Sequence, residues 1–164
     1  MASKAAQTET ASVEHEVRDR LLSRLLEDGA GQFGDRTFLN FMGDKRGITY
    51  GELDENANRF AGGLRALGLE KGTKLGVMLP NCVEYLYLLI GAAKIGAVTV
   101  PINTGYKGDL LAHVINNSDA EILVVDERFV ETVSEVGVGL DGLKTILVYS
   151  DTDAPAKTVR IGSA

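Results

Sequence analysis

The stretch KLGVMLPNCVEYLYLLIGAAKIGAVTVP, residues 74–101, decides the fold. Lys74 to Leu79 is a short apolar run closed by Pro80, which reads as a strand ended by a residue without an N–H. Asn81 and Glu84 follow with the spacing of a capping box, so a helix is expected to begin there. That helix carries Tyr85, Leu86, Leu88, Leu89, Ala92 and Ala93 and stops at Gly96, which supplies a permissive backbone. It is apolar around most of its circumference, and such a helix has to be buried on more than one side. Ala97 to Val100 is the next strand, closed by Pro101. Nearly continuous apolar strands separated by helices call for a parallel sheet covered on both faces.

Working outward, the same alternation continues. Ahead of the stretch, Thr49 and Glu52 have capping-box spacing, and Leu53, Ala57, Phe60, Ala61 and Leu64 form the stripe of a helix ended at Gly68. Lys71-Gly72 is a turn. Before that helix, Thr37 to Met42 and Ile48 to Tyr50 flank a polar turn over residues 43–47 and predict a hairpin. Earlier still, Val13, Val17, Leu21, Leu22, Leu25 and Leu26 recur at helical spacing, with Asp28-Gly29 and Gly31 expected to end that helix. Beyond Pro101, a loop from Ile102 to Tyr106 leads to a helix over residues 107–116, with Leu110, Leu111, Val114 and Ile115 inward. Strand 121–125, helix 127–136 and strand 145–149 complete the series. The fold class is therefore α/β: a layered, mostly parallel β-sheet with helices on both faces, preceded by a helix and a β-hairpin. Residues 1–11 read as a flexible arm and 12–150 as the folded part. Residues 151–164, with little periodicity, read as a connecting segment cut short.

Composition sets bounds. The 164 residues are 45% hydrophobic and 24% charged, an ordinary globular balance, with a formal net charge of −6. No basic stripe of the kind that binds nucleic acid is present. The most apolar stretch, Tyr85 to Ala93, is flanked by Glu84 and Lys94 and falls far short of the roughly 20 residues that span a bilayer. Met1 to Thr10 lacks the apolar core of a secretory signal. A cytoplasmic protein with no transmembrane segment is expected. The single cysteine, Cys82, cannot form an internal disulfide, and its apolar neighbours suggest a half-buried thiol.

Candidate chemistry is sparse. Gly137, Gly139 and Gly142 spell G-x-G-x-x-G, but the string follows a helix and leads into a strand, the reverse of a dinucleotide-binding turn. His15 and His113 have no ligand partners at metal spacing. No serine sits in a nucleophile elbow. Open α/β sheets bind ligands at the carboxyl ends of their strands. Here those ends are Pro80-Asn81, Pro101 to Tyr106, and Asp126. The middle one offers Asn103, Thr104, Gly105 and Tyr106, small polar groups and a glycine that admits close approach; the same residues could equally satisfy backbone donors at a helix start.

Several strings in order resemble one family. They are Ile48-Thr49-Tyr50-Gly51-Glu52-Leu53, Ala57-Asn58-Arg59-Phe60-Ala61, Leu64 through Gly68, Lys71-Gly72, and Val77-Met78-Leu79-Pro80-Asn81. Gly91 to Val98, Val100-Pro101-Ile102-Asn103 and Asn117-Ser118-Asp119-Ala120 continue the series. Together they are similar to the start of the adenylate-forming superfamily, which includes acyl-CoA synthetases, luciferase and peptide-synthetase adenylation domains. Pro101 to Asp109 looks closest to the crotonobetaine/carnitine and fatty-acyl-CoA ligases. The resemblance implies an AMP-forming acid–thiol ligase that activates a carboxylic acid through an acyl-adenylate and passes it to CoA, using ATP and Mg2+. It also implies that this chain is an N-terminal portion. The family's phosphate loop, acidic nucleotide motif and C-terminal lysine have no counterpart here, so no catalytic residue is carried over and neither nucleotide nor CoA is expected to bind this portion tightly. Thr104, Gly105 and Tyr106 are carried over as substrate contacts near the pantetheine or acyl channel. The partners implied are the acid and CoA; a homo-oligomer is compatible with the sequence. A non-catalytic α/β interaction module is the alternative from another class.

Overall fold

The computed structural model describes residues 21–41, 46–136, 139–140, 142–151 and 157–160, with backbone alone at Arg46 and at residues 157–160. The arm over residues 1–11, Val13, His15, Val17, the turn at 43–45 and Gly137 lie outside these ranges. Helix α1 (Leu22–Phe33) leads to an antiparallel hairpin of β1 (Thr37–Phe41) and β2 (Arg46–Thr49). Then α2 (Tyr50–Ala66), β3 (Lys74–Met78), α3 (Val83–Ile95), β4 (Val98–Pro101), α4 (Gly108–Asn117) and β5 (Ile122–Asp126) alternate along the chain. A 3-10 turn over Glu127–Phe129, α5 (Val130–Val136), β6 (Thr145–Tyr149) and β7 (Lys157–Arg160) follow. The main sheet has the order β4-β3-β5-β6-β7. Its first four strands are parallel, and β7 pairs antiparallel to β6.

Period-two alternation divides the core. Leu75 and Val77 of β3, with Ile122 and Val124 of β5, face α2 and α3 and meet Ala61, Leu64, Leu88, Ala92 and Ile95. Met78, Leu123, Val125 and Val148 face the other way, onto Leu111 and Ile115 of α4 and Val133 of α5. A third cluster lies outside α2 and α3, where Leu26, Ile48 and Leu53 pack on Val83, Tyr87 and Ile90. The order of layers is therefore α1 with the hairpin, then α2 and α3, then the sheet, then α4 and α5. Helix α3 is clasped between the outer layer and the sheet, and none of its residues is exposed, as its all-round apolar sequence requires.

The helix signals resolve in different ways. The Thr49–Glu52 capping box forms in full: Glu52 N donates to Thr49 Oγ1 at 3.1 Å, and Thr49 N donates to Glu52 Oε2 at 3.0 Å. Gly68, at φ +90°, and Gly96, at φ +75°, close α2 and α3 in the left-handed region. The Asn81–Glu84 box does not form. Cys82 occupies the N-cap position, and no side chain caps the helix. Gly29 and Gly31 do not end α1, which runs on to Phe33. Gly29 instead gives room to the Tyr50 ring, 2.9 Å from where a Cβ would stand. Leu110 faces solvent at 53% exposure, whereas Leu111 and Ile115 are buried as expected. Strand β7 falls in the stretch whose sequence carries little periodicity.

Helix α1 is fastened by charge as well as by Leu26. Lys94 on α3, whose side chain is 7% exposed, reaches Glu27 of α1 at 2.5 Å and Asp54 of α2 at 2.8 Å. One ammonium thus ties three helices together. Desolvation pulls its pKa down, but the hydrogen bonds to Asp54 and Glu27 outweigh this, and the net displacement is upward.

Candidate functional site

Chain direction reverses at the middle of the sheet. From β3 the chain crosses over α3 to β4 on one side; from β5 it crosses over α5 to β6 on the other. The crevice outside the carboxyl ends of β3 and β5 is the topological switch point, where open α/β sheets place ligands. A cleft of about 610 Å³ lies there. Pro80, Asn81, Cys82 and Glu84 line it from the end of β3 and the start of α3. Asp126 and Arg128 come from the end of β5, Tyr149 and Asp151 from the end of β6, Phe41 from the hairpin and Asn56 from α2.

Its best-defined group is Asp126, 2% exposed. Its Oδ1 accepts from Arg128 N at 3.0 Å and from Arg128 Nε at 2.7 Å, and its Oδ2 accepts from Nη2 at 2.8 Å. One carboxylate therefore caps the 3-10 turn and holds a bidentate guanidinium. Those hydrogen bonds keep the Asp126 carboxyl below the usual range against the opposing effect of burial. The Arg128 side chain is itself 63% exposed.

Across the cleft, burial and the negative charge of the Glu84 carboxylate push the Tyr149 phenol up. Burial also raises the Cys82 thiol; the N–H of Tyr85 offsets part of that, and the charges of Glu84 and Asp126 add to it. Cys82 is consequently a protonated, weakly nucleophilic thiol at neutral pH. Glu84, Asp126 and Asp151 set three carboxylates against one guanidinium. That balance opposes a polyanion. Among the described residues, no group of three His, Cys, Asp or Glu side chains is placed to hold a metal ion. These residues therefore do not fit Mg–ATP, and no chemical step is assigned to them.

Thr104, Gly105 and Tyr106 sit together one strand away, in the loop after β4, and are not part of the cleft lining. Asn103 organises that loop: its Oδ1 accepts from Gly105 N at 2.8 Å, and its carbonyl accepts from Tyr106 N at 3.1 Å. The Tyr106 ring is half-buried against the core below the sheet, and Thr104 is half-buried too. Gly105 is exposed. Its φ is not among the positive ones, so the backbone does not demand glycine there. The main chain at Gly105 is thus bare and accessible from solvent.

Other sequence candidates fall elsewhere. His113 is exposed on α4. Gly139 and Gly142 lie between α5 and β6, and the Gly139 carbonyl accepts from Asn116 Nδ2. No described helix is long and apolar enough to cross a membrane. Sequence reading located the strand ends at Pro80-Asn81 and Asp126 but passed over Arg128, Glu84 and Tyr149. The Asp-x-Arg spacing at the end of an apolar strand was the available signal for the first of these; the Glu84–Tyr149 pair joins residues far apart in sequence and left none.

Comparison with known proteins agrees with this architecture. The sequence model of the family described as AMP-binding enzyme matches residues 26–162. A crotonobetaine/carnitine–CoA ligase of Salmonella paratyphi B is 36% identical over 118 residues, which are 70% of this chain and 23% of that protein. The chain thus spans about a quarter of the length of the curated relatives it matches. Among solved structures, a long-chain-fatty-acid–CoA ligase of Archaeoglobus fulgidus superposes with a TM-score of 0.70 at 27% identity, over 84% of this chain and 28% of that one. The N-terminal domain of a Mycobacterium tuberculosis protein superposes with a TM-score of 0.72 over 79% of this chain and 33% of its own, at 24% identity, a likeness of fold alone.

Proposed function

Because the chain belongs to the AMP-binding enzyme family, we propose that it forms the N-terminal part of an ATP-dependent, AMP-forming acyl-CoA ligase. The substrate class is a carboxylic acid, fatty or carnitine-like, activated as an acyl-adenylate and passed to the thiol of CoA. The carrying observation is the family match over residues 26–162, together with relatives that are CoA ligases. ATP and Mg2+ are gripped by parts of the ligase other than these residues, because the switch-point cleft is acidic and lacks a metal-holding group. The loop Thr104–Gly105–Tyr106 contacts the pantetheine arm or the acyl group, and the enzyme works in the cytoplasm.

The test is a chimera. The chain alone is expected to give no ATP–pyrophosphate exchange with fatty acids, carnitine or crotonobetaine. Fused in place of the matching quarter of the Salmonella relative, it is expected to restore exchange. A folded chimera that stays silent while the parent ligase is active would overturn the proposal, and so would exchange by the purified chain alone.

A further inference from the structure

The loop after β4 is fixed at both ends. Ile102 is buried and donates its N–H to the Val77 carbonyl at 2.8 Å, tying the start of the loop to the central strand β3. The Tyr106 ring is set into the lower core and anchors the other end. Between these points the chain has to turn, and Asn103 makes the turn twice over, with its side-chain oxygen on Gly105 N and its own carbonyl on Tyr106 N. A Cβ on Gly105 would stand 3.2 Å from that same Asn103 oxygen, a tight contact. The side chain of residue 103 and the bareness of residue 105 are therefore one arrangement: the oxygen closes the turn onto Gly105 N, and the Gly105 main chain stays exposed.

We infer that Asn103 is the positioning residue of the CoA-facing loop, holding the Thr104–Gly105 main chain in the conformation that receives the pantetheine arm. The inference rests on the assignment of this loop to ligand contact. Only the oxygen of Asn103 is used on Gly105, so aspartate can replace asparagine in this role and alanine cannot. Free of the side-chain bond, the turn samples other conformations, and a ligand has to select the competent one at a loss of affinity.

The experiment follows backbone amide resonances of the full chain with CoA as the probe. In the unmodified chain, CoA at millimolar concentration is expected to move the resonances of Thr104, Gly105 and Tyr106. Asn103→Ala is expected to speed Gly105 amide exchange about tenfold and to weaken CoA about fivefold, effects of the size of one lost hydrogen bond. Asn103→Asp is expected to restore both. Unchanged Gly105 exchange or unchanged CoA affinity in Asn103→Ala, or failure of Asn103→Asp to rescue, overturns the role of Asn103. If CoA leaves residues 104–106 unmoved in the unmodified chain, the assignment of the loop itself falls, whatever the variants do.

Discussion

Single side chains carry sharply different weights here, and Lys94 carries one of the larger ones. Lys94→Met leaves Glu27 and Asp54 facing each other without a cation. Because Glu27 is half-exposed, water screens part of the loss, and urea denaturation is expected to show about 1–3 kcal/mol of destabilisation. The pH dependence has a definite sign. The folded pKa of Lys94 is raised, so its stabilisation is complete below the unfolded value of about 10.4 and is lost as pH rises through the folded value. The gap between the wild type and Lys94→Met should therefore be flat through neutrality and close in strong alkali. Asp126 behaves oppositely. Its pKa is depressed, first by the Arg128 side chain, so its contribution is present above about pH 3.9 and is lost as pH falls through the folded value. Asp126→Asn should cost about 1–2 kcal/mol at neutral pH, and less in acid.

Among elements, the contact of α2 with α3 is the most extensive, and a glycine lets the two backbones approach. A Cβ at Gly91 would stand 2.9 Å from the Ala57 carbonyl and 3.0 Å from Ala61 N, both main-chain atoms of a helix that cannot easily give way. Gly91→Ala is expected to lower stability by about 1–3 kcal/mol in chemical denaturation. Gly62 and Gly63, on α2 itself, have nothing within reach of a new methyl group, and alanine at either should raise stability by about 0.5–1 kcal/mol. The contrast explains what sequence could tell about these elements. The capping box at Thr49 and the terminal glycines 68 and 96 are signals internal to one helix, and they were legible. The continuation of α1 through Gly29 was not, because the reason for that glycine is the ring of Tyr50, an element away. Asn81 had the capping spacing, but the helix starts one residue later than that box requires.

At the scale of the molecule, the layered parallel sheet was readable because it rests on periodicity, and periodicity is a property of the sequence alone. The candidate site was readable only in outline. Strand ends can be marked from prolines, but the pairing of Glu84 with Tyr149 and the seating of Arg128 on Asp126 depend on strand order, which the sequence does not print. One edge of the sheet shows how order matters. Val98 donates to Thr73, just ahead of β3, and Ile102 to Val77 of β3, so alternation turns Thr99 and Pro101 away from that strand. Pro101 has no N–H, and the N–H of Ala97 is spent on the Ala92 carbonyl. Of these outward-facing positions, Thr99 alone keeps a donor. Pro101→Thr is expected to add one and to raise the rate of aggregation, followed by light scattering, with little change in fold.

The helix clasped on both sides, α3, has a temporal consequence as well. A segment packed on two sides depends on both of its covers. Until α1 and the hairpin close over Val83, Tyr87 and Ile90, those side chains are bathed in water. A truncated chain without α1 and the hairpin is thus a form in which this face of α3 is open to chaperones and proteases.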